Sequence, residues 1–254
     1  MAHGTRSHSG RTMAKTAGIM VIGNEILSGK VVDTNSPYMC QELRSLGVDV
    51  RRIVVIPDDI AIIASDVITF SRAFDYVFTT GGVGPTHDDV TIEAIAHGLQ
   101  RQLVIHPELD ALLQRHWAER PSAARQKMAS VPEGAQLLME PSLPIPVLQV
   151  DNVYIFPGIP QLFRRKFESI KERFREPPYY VRLVYVNAPE SDFAHLLDTV
   201  VREFPELMLG SYPEVANPNY RVKLTLESKD PAYLERACAR LLALLPADAI
   251  RTME

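Results

Sequence analysis

At 254 residues, with 46% hydrophobic and 23% charged content, the chain is long enough for one sizeable core plus a smaller appended unit and has the composition of an ordinary folded protein. A formal net charge of −4 with scattered Lys and Arg leaves no electrostatic footprint for nucleic acid or an anionic membrane surface, so a small-molecule ligand is expected. Only Cys40 and Cys238 are present, far apart and without C-x-x-C spacing; this argues against a disulfide framework or structural zinc and fits a reducing cytoplasm, and no apolar run reaches the roughly twenty residues of a membrane span.

Residues 1–16 lack the apolar centre of a signal peptide and read as a tag or disordered leader, with Met13 as the native start. Gly18–Ile22 is a first apolar strand, followed by the turn Gly23-Asn24-Glu25-Ile26-Leu27-Ser28-Gly29 and then Val31-Val32-Asp33-Thr34-Asn35. Ser36 and Pro37 supply an N-cap and first-turn signal for a helix whose face carries Met39, Leu43 and Leu46 and which stops at Gly47. Val48–Ile56 is the next strand, Pro57-Asp58-Asp59 opens a helix to about Arg72, and Asp75–Thr80 is a strand with the bulky run Tyr76-Val77-Phe78. This alternation of strand and helix predicts parallel pairing with right-handed crossovers, so both the Gly23–Asn35 turn and the turn after Thr80 belong at one sheet edge.

The stretch Thr79–Asp89, T-T-G-G-V-G-P-T-H-D-D, carries the strongest functional signal. It links a strand to a helix marked by Val90, Ile92, Ile95 and Leu99, and ligands of open α/β sheets collect outside such strand ends. Gly81, Gly82 and Gly84 allow close backbone approach, so that amide N–H groups can face an anion. Asp88 and Asp89 would repel a phosphate by themselves; paired with a phosphate-cradling turn, they imply a hard divalent cation, Mg²⁺, Mn²⁺ or Co²⁺, between them. The competing structural reading makes Thr86, Asp88 or Asp89 a helix N-cap. A dinucleotide fingerprint is excluded because His87 stands where its third glycine belongs, and no Walker loop occurs.

Asn24 and Asn35 are candidate ribose or phosphate partners, or stabilisers of their own turns. His87 is a candidate general acid or an exposed turn residue, Lys30 a phosphate contact or a solvated charge, and His195 is structural. Glu108–Met128 reads as helical with a break at Pro121, and Pro132–Pro146 as an irregular, proline-rich excursion. Val147–Phe156 returns as strand and ends in Phe156-Pro157-Gly158-Ile159-Pro160, a third turn able to touch the same ligand, before a helix to about Arg175. After Pro177-Pro178, a small βαββα unit follows: strand Tyr180–Val186, helix Ser191–Phe204, strands Glu206–Tyr212 and Tyr220–Leu226, and helix Pro231–Leu245. Asn217-Pro218-Asn219 joins its strands, and Gly210-Ser211-Tyr212-Pro213 offers an aromatic ring to a neighbouring cleft.

The combination G-N-E-I-L-S-G-K-V-V-D-T-N-S, T-G-G-V-G-P-T-H-D-D-V-T, F-P-G-I-P and G-S-Y-P resembles the MoCF (MoaB/Mog-type, molybdopterin-binding-like) domain of the CinA N-terminal family, most of all the N-terminal domain of eukaryotic FAD synthase. The likeness runs from about Gly18 to about Pro246. It implies a three-layer α/β sandwich with a mostly parallel sheet over residues 17–176 and a small α+β domain over 177–254. It also implies metal-dependent hydrolysis of an ADP-ribose or FAD pyrophosphate bond, or else binding of molybdopterin without turnover. Carried over to this chain, it gives Asp88, Asp89 and Glu25 as catalytic groups, with Asp88 and Asp89 holding metal. Asn24, Asp33, Asn35, Thr80, Gly81, Gly82, Gly84, Pro85, Thr86, Gly158 and Tyr212 become substrate contacts. Relatives commonly self-associate, so a homo-oligomer, with a dimer favoured, is expected. The modules for nicotinamide mononucleotide deamidation and adenylyl transfer are absent, so neither reaction is expected.

Overall fold

A computed structural model describes residues 14–116, 122–141 and 143–254. Most of the expected leader and the helix break at Pro121 therefore lie outside the described residues. The described chain divides into two compact units between Glu176 and Pro177.

The first unit runs β1 (Thr16–Ile22), α1 (Asn24–Leu27), α2 (Asn35–Ser45), β2 (Asp49–Ile56), α3 (Ile60–Ala73), β3 (Tyr76–Thr80) and α4 (Thr91–Gly98). It continues with β4 (Leu103–Ile105), α5 (Pro107–His116), α6 (Ser122–Ala129), β5 (Ser130–Pro132), β6 (Gln136–Leu138), β7 (Val147–Val150), β8 (Val153–Phe156) and α7 (Pro160–Ile170), which ends in a 3-10 turn at Lys171–Phe174. Thr16, the last residue expected in the leader, already pairs with Asp49 in the sheet, and Lys15 beside it bonds Asp75 at 2.8 Å.

The central sheet has the order β2-β1-β3-β8-β7-β6. The first four strands are parallel, as the strand and helix alternation predicts, and β7 and β6 are antiparallel. Buried on both faces, β1 sends Ala17, Ile19 and Val21 to one core and Met20 and Ile22 to the other, the two-residue period of a strand between two helical layers. One layer is α2 and α7, packed through Met39, Leu43, Phe163 and Phe167. The other includes α3, α4 and α5, packed through Ile63, Val67, Phe70, Ala94, Ile95 and Leu109. The result is the expected three-layer sandwich.

Three local expectations are corrected. Thr34, not Ser36, is the N-cap of α2, and the carboxylate of Asp33 just before it accepts the N–H groups of Asn35 (2.9 Å) and Ser36 (3.1 Å), so the helix begins earlier. Val147–Phe156 is a hairpin rather than one strand, because Asp151 at φ +52 turns the chain and Asp and Asn tolerate that region best among residues with a side chain. The Pro132–Pro146 excursion contains β6, whose Gln136-Leu137-Leu138 is too short to display a period but completes the sheet edge against β7.

The second unit runs β9 (Tyr180–Val186), α8 (Glu190–Glu203), β10 (Met208–Pro213), β11 (Val222–Ser228), α9 (Pro231–Leu244) and β12 (Ile250–Met253). Its sheet is antiparallel with the order β10-β11-β9-β12. Val222, Leu224 and Leu226 alternate inward from β11, and α9 buries Leu234, Ala237, Cys238 and Leu241 against them. Asp230 starts α9 by accepting the Tyr233 N–H at 3.0 Å, with Pro231 at the first helical position. The unexpected strand is β12, which makes the unit βαββαβ; its short, mostly exposed Ile-Arg-Thr-Met has no apolar alternation to reveal it.

Candidate functional site

The turns after β1, β3 and β8 meet at the carboxyl edge of the parallel strands. After β3 the backbone turns through Gly81 (φ +107) and Gly82 (φ +60), both in the region that disfavours side chains. A Cβ on Gly81 would collide with the Ile22 carbonyl oxygen, and one on Gly82 with the Thr91 hydroxyl. Thr91, at the first turn of α4, pins this loop: its hydroxyl donates to the Gly81 carbonyl (2.9 Å) and its N–H to the Gly82 carbonyl (3.1 Å). The Gly81 N–H is engaged with the Phe156 carbonyl. The next three N–H groups, of Gly82, Val83 and Gly84, have no acceptor among the described residues. Three successive free amides in a turn that includes a left-handed glycine are the kind of backbone geometry that can accommodate an anion.

Neither Asp88 nor Asp89 caps α4, whose N-cap is Val90 with no side-chain bond, so the N-cap reading does not hold. Instead the acids close the loop on itself. Asp89 Oδ2 accepts the Thr86 N–H at 2.9 Å, and the Thr86 hydroxyl lies within reach of both Asp88 Oδ1 (2.7 Å) and Asp89 Oδ2, with a single proton to give. The Thr86 hydroxyl, the local backbone and the charges of His87 and Lys127 hold the Asp88 carboxyl below the usual range, so it is ionised at neutral pH. Lys127, on α6, donates to the Thr86 carbonyl and ties the loop to the helical excursion. Pro85 is exposed at the rim, and His87 is 98% exposed, 3.9 Å from Asp88.

Asn35 joins all three turns. From the start of α2, its Nδ2 donates to Thr80 Oγ1 (2.9 Å) and to the Gly158 carbonyl (2.8 Å), and Thr80 donates on to the Pro157 carbonyl (3.0 Å). Gly158 packs so close that a Cβ there would stand 3.3 Å from Gly81 Cα. Asn35 is 5% exposed, and its Oδ1 is buried with no partner among the described residues. Asp58 accepts the Asn24 N–H at 2.8 Å, while the Asn24 and Glu25 side chains stay exposed. Asp33 is engaged with the start of α2, including the Ser36 hydroxyl.

These turns border a cleft of about 890 Å³, within the range of small-molecule sites. Glu25, Gly81, Gly82, Gly84, Pro85, Asp89 and Gly158 line it together. Its apolar wall includes Leu103, Met128, Leu143, Ile145, Leu148 and Leu162. Tyr212 lies on β10 of the second unit, half exposed, with the Lys223 ammonium over its ring. Lys30 and His195 are exposed and outside the cleft lining.

Residues 18–176 match the family described as probable molybdopterin binding domain, and residues 178–254 match the FAD synthase middle domain. The chain belongs to the molybdopterin-binding-domain family. It is 38% identical over 227 residues to a protein of Archaeoglobus fulgidus, covering 89% of this chain and 96% of that one. It is 34% identical to a probable FAD synthase of Caenorhabditis elegans (91% of this chain, 50% of the relative) and 32% identical to a CinA-like protein of Thermotoga maritima (90% and 58%). The chain thus spans about half the length of these last two. The crystal structure of CinA from Thermoplasma acidophilum superposes with a TM-score of 0.59 at 30% identity, covering 63% of this chain and 98% of that one. The resemblance read from the four motifs is therefore shown.

In this family member several cleft residues carry no sequence signal of their own. Glu93, Lys127, Arg165 and Lys166 line the cleft from α4, α6 and α7, where charged side chains usually face solvent. Only the fold turns them toward one cavity.

Proposed function

We propose that the first unit hydrolyses the diphosphate linkage of a nucleotide of the ADP-ribose or FAD type and releases AMP. The observation that carries this reading is the run of unpartnered N–H groups at Gly82, Val83 and Gly84 in a cleft that the carboxylates of Asp89 and Glu25 also line, with Asp88 exposed outside that lining and joined to Asp89 through the Thr86 hydroxyl. The donors fit a hard divalent cation, Mg²⁺, Mn²⁺ or Co²⁺, because they are carboxylate oxygens. Among the described residues no three acidic, His or Cys side chains cluster as a closed metal cage. A cation here would therefore rest on one or two protein carboxylates, with phosphate oxygens and water completing its shell. Bound there, such a cation supplies charge neutralisation at the phosphoryl oxygens and a water of lowered pKa.

The chain's own residues do the rest. The Gly82–Gly84 amides fix one phosphoryl group and stabilise the charge that develops on its oxygens. Asp88 and Asp89 hold the cation, and Glu25 takes the proton of the attacking water. Water adds to phosphorus, the bridging P–O bond breaks, and the products are AMP and the partner phosphate monoester. The apolar wall accommodates the heterocycle and keeps bulk water out.

The test is incubation of the pure protein with ADP-ribose, FAD or NADH and Mg²⁺, Mn²⁺ or Co²⁺. Metal-dependent AMP release that falls about a hundredfold or more in Asp88→Asn and Asp89→Asn supports hydrolysis, the scale expected when groups that stabilise developing charge are removed. Tight pterin binding with no product from any dinucleotide would replace it with the reading of a binding protein in molybdenum-cofactor assembly.

A further inference from the structure

Lys166 projects from α7, nearly two turns after the Phe156–Pro160 turn, and lines the cleft. Its Nζ donates to the carbonyls of Ile145 (3.0 Å) and Pro146, and no carboxylate among the described residues pairs with it. The other cleft and core-side lysines differ: Lys15 pairs with Asp75, Lys171 with Glu42 and Glu168, and Lys127 lies near Asp88. An ammonium carries three N–H donors, so two carbonyls leave Lys166 one to give. An uncompensated charge in an apolar wall is destabilising, and a Met of similar length would pack there without that penalty. An anion entering the cleft is the partner that would balance it.

We propose that Lys166 is an anion-binding residue of the cleft, donating its remaining N–H to a phosphate oxygen of the ligand. This rests on the nucleotide reading of the same cavity and adds a second phosphate contact, on the α7 side, to the amides of the glycine loop. The carbonyl pair holds the head group of the flexible lysine side chain before the ligand arrives, which lowers the ordering cost of the contact.

The consequence is a pH-dependent affinity. Burial lowers the Lys166 pKa to about 8, so the free protein loses this charge as the pH rises through that value, and phosphate binding weakens with it. The other charged groups around the cleft are Glu25 on α1, Asp89 in the glycine loop, Glu93 on α4, Lys127 on α6 and Arg165 on α7 itself. Glu140, on the segment leading to Ile145, is paired with Arg173 at 3.7 Å. A variant lacking only Lys166 separates its contribution from all of these.

The experiment measures ADP binding to the full chain by calorimetry in EDTA, from pH 7 to 9.5, for wild type, Lys166→Met and Lys166→Arg. Wild type is expected to lose about tenfold or more in affinity across that range. Lys166→Met is expected to bind about tenfold more weakly at pH 7, the scale of one charge-assisted hydrogen bond, with a flat profile. Lys166→Arg, charged throughout, is expected to bind at pH 9.5 nearly as it does at pH 7. If Lys166→Met matches wild type at pH 7, or keeps the wild-type slope, the Lys166 assignment is overturned and the cleft reading stands. If wild type binds no ADP at any pH, with EDTA or with Mn²⁺, the cleft reading falls and this inference falls with it.

Discussion

In the first unit Asn35, Ser36, Asp49, Thr79, Thr80 and Thr91 are buried polar residues, whereas among the described residues of the second unit only Ser228 is. Three of the first set, Asn35, Thr80 and Thr91, hydrogen-bond directly to the turns that border the cleft. Both units pair charges on their surfaces, but the second does so, Arg240 with Glu203 and Arg182 with Glu235, over a core of Val, Leu, Phe, Ala and Cys. Burying a polar group costs free energy unless it is bonded, so its concentration at one strand edge marks where this fold holds a fixed polar geometry. The core of the second unit is built by apolar packing.

The comparison breaks most readily at Gly81. Gly81→Val forces a side chain into φ +107 and against the Ile22 carbonyl, so a loss of about 3 kcal/mol or more is expected in urea unfolding, with turnover abolished. Asn35→Ala removes the two bonds that tie the first turn to the third and should cost about 2 kcal/mol by the same measurement, with activity falling in step.

A smaller effect concerns pH. The folded-state pKa of Lys166 lies below that of an unfolded lysine, so folding requires a buried charge at low pH. The penalty is complete below about pH 8 and is relieved between there and about 10.4, where the folded form is already neutral and the unfolded chain still protonated. Wild-type stability therefore rises with pH in that window, and thermal melts of Lys166→Met should lack this rise. The smallest effect is expected in the second unit: Arg240→Ala breaks an exposed ion pair and should leave both the unfolding midpoint and AMP release at wild-type values. A loss of turnover there would undo the contrast between the units.

The sequence shows the parallel half of the sheet plainly because β1 and β3 are apolar runs closed by turns, and the helices between them keep a clear period. It hides β6 and β12 because strands of three or four residues show no period, and the division of 147–156 into β7 and β8 depends on the conformation of Asp151. Among site residues, the glycines and acids of Thr79–Asp89 are legible since their types are unusual at that spacing. The roles they take are less so. Asp33 looks like a ligand contact and serves a helix start, and Asn35 looks like a turn residue and proves to be the bond that joins three turns. Lys127 and Lys166 were not readable at all, because a helical lysine is usually solvated and only the packing of α6 and α7 brings these two to the cavity.

The central claim is that the loop after β3 holds a diphosphate beside Asp88 and Asp89. Crystals of the protein soaked with ADP-ribose and Mn²⁺ test it most directly, read by anomalous diffraction. The account predicts the diphosphate against the amides of Gly82, Val83 and Gly84, with a manganese peak between its oxygens and the two carboxylates. A diphosphate bound elsewhere, with Asp88 and Asp89 still closed onto Thr86 and no ion beside them, would contradict it.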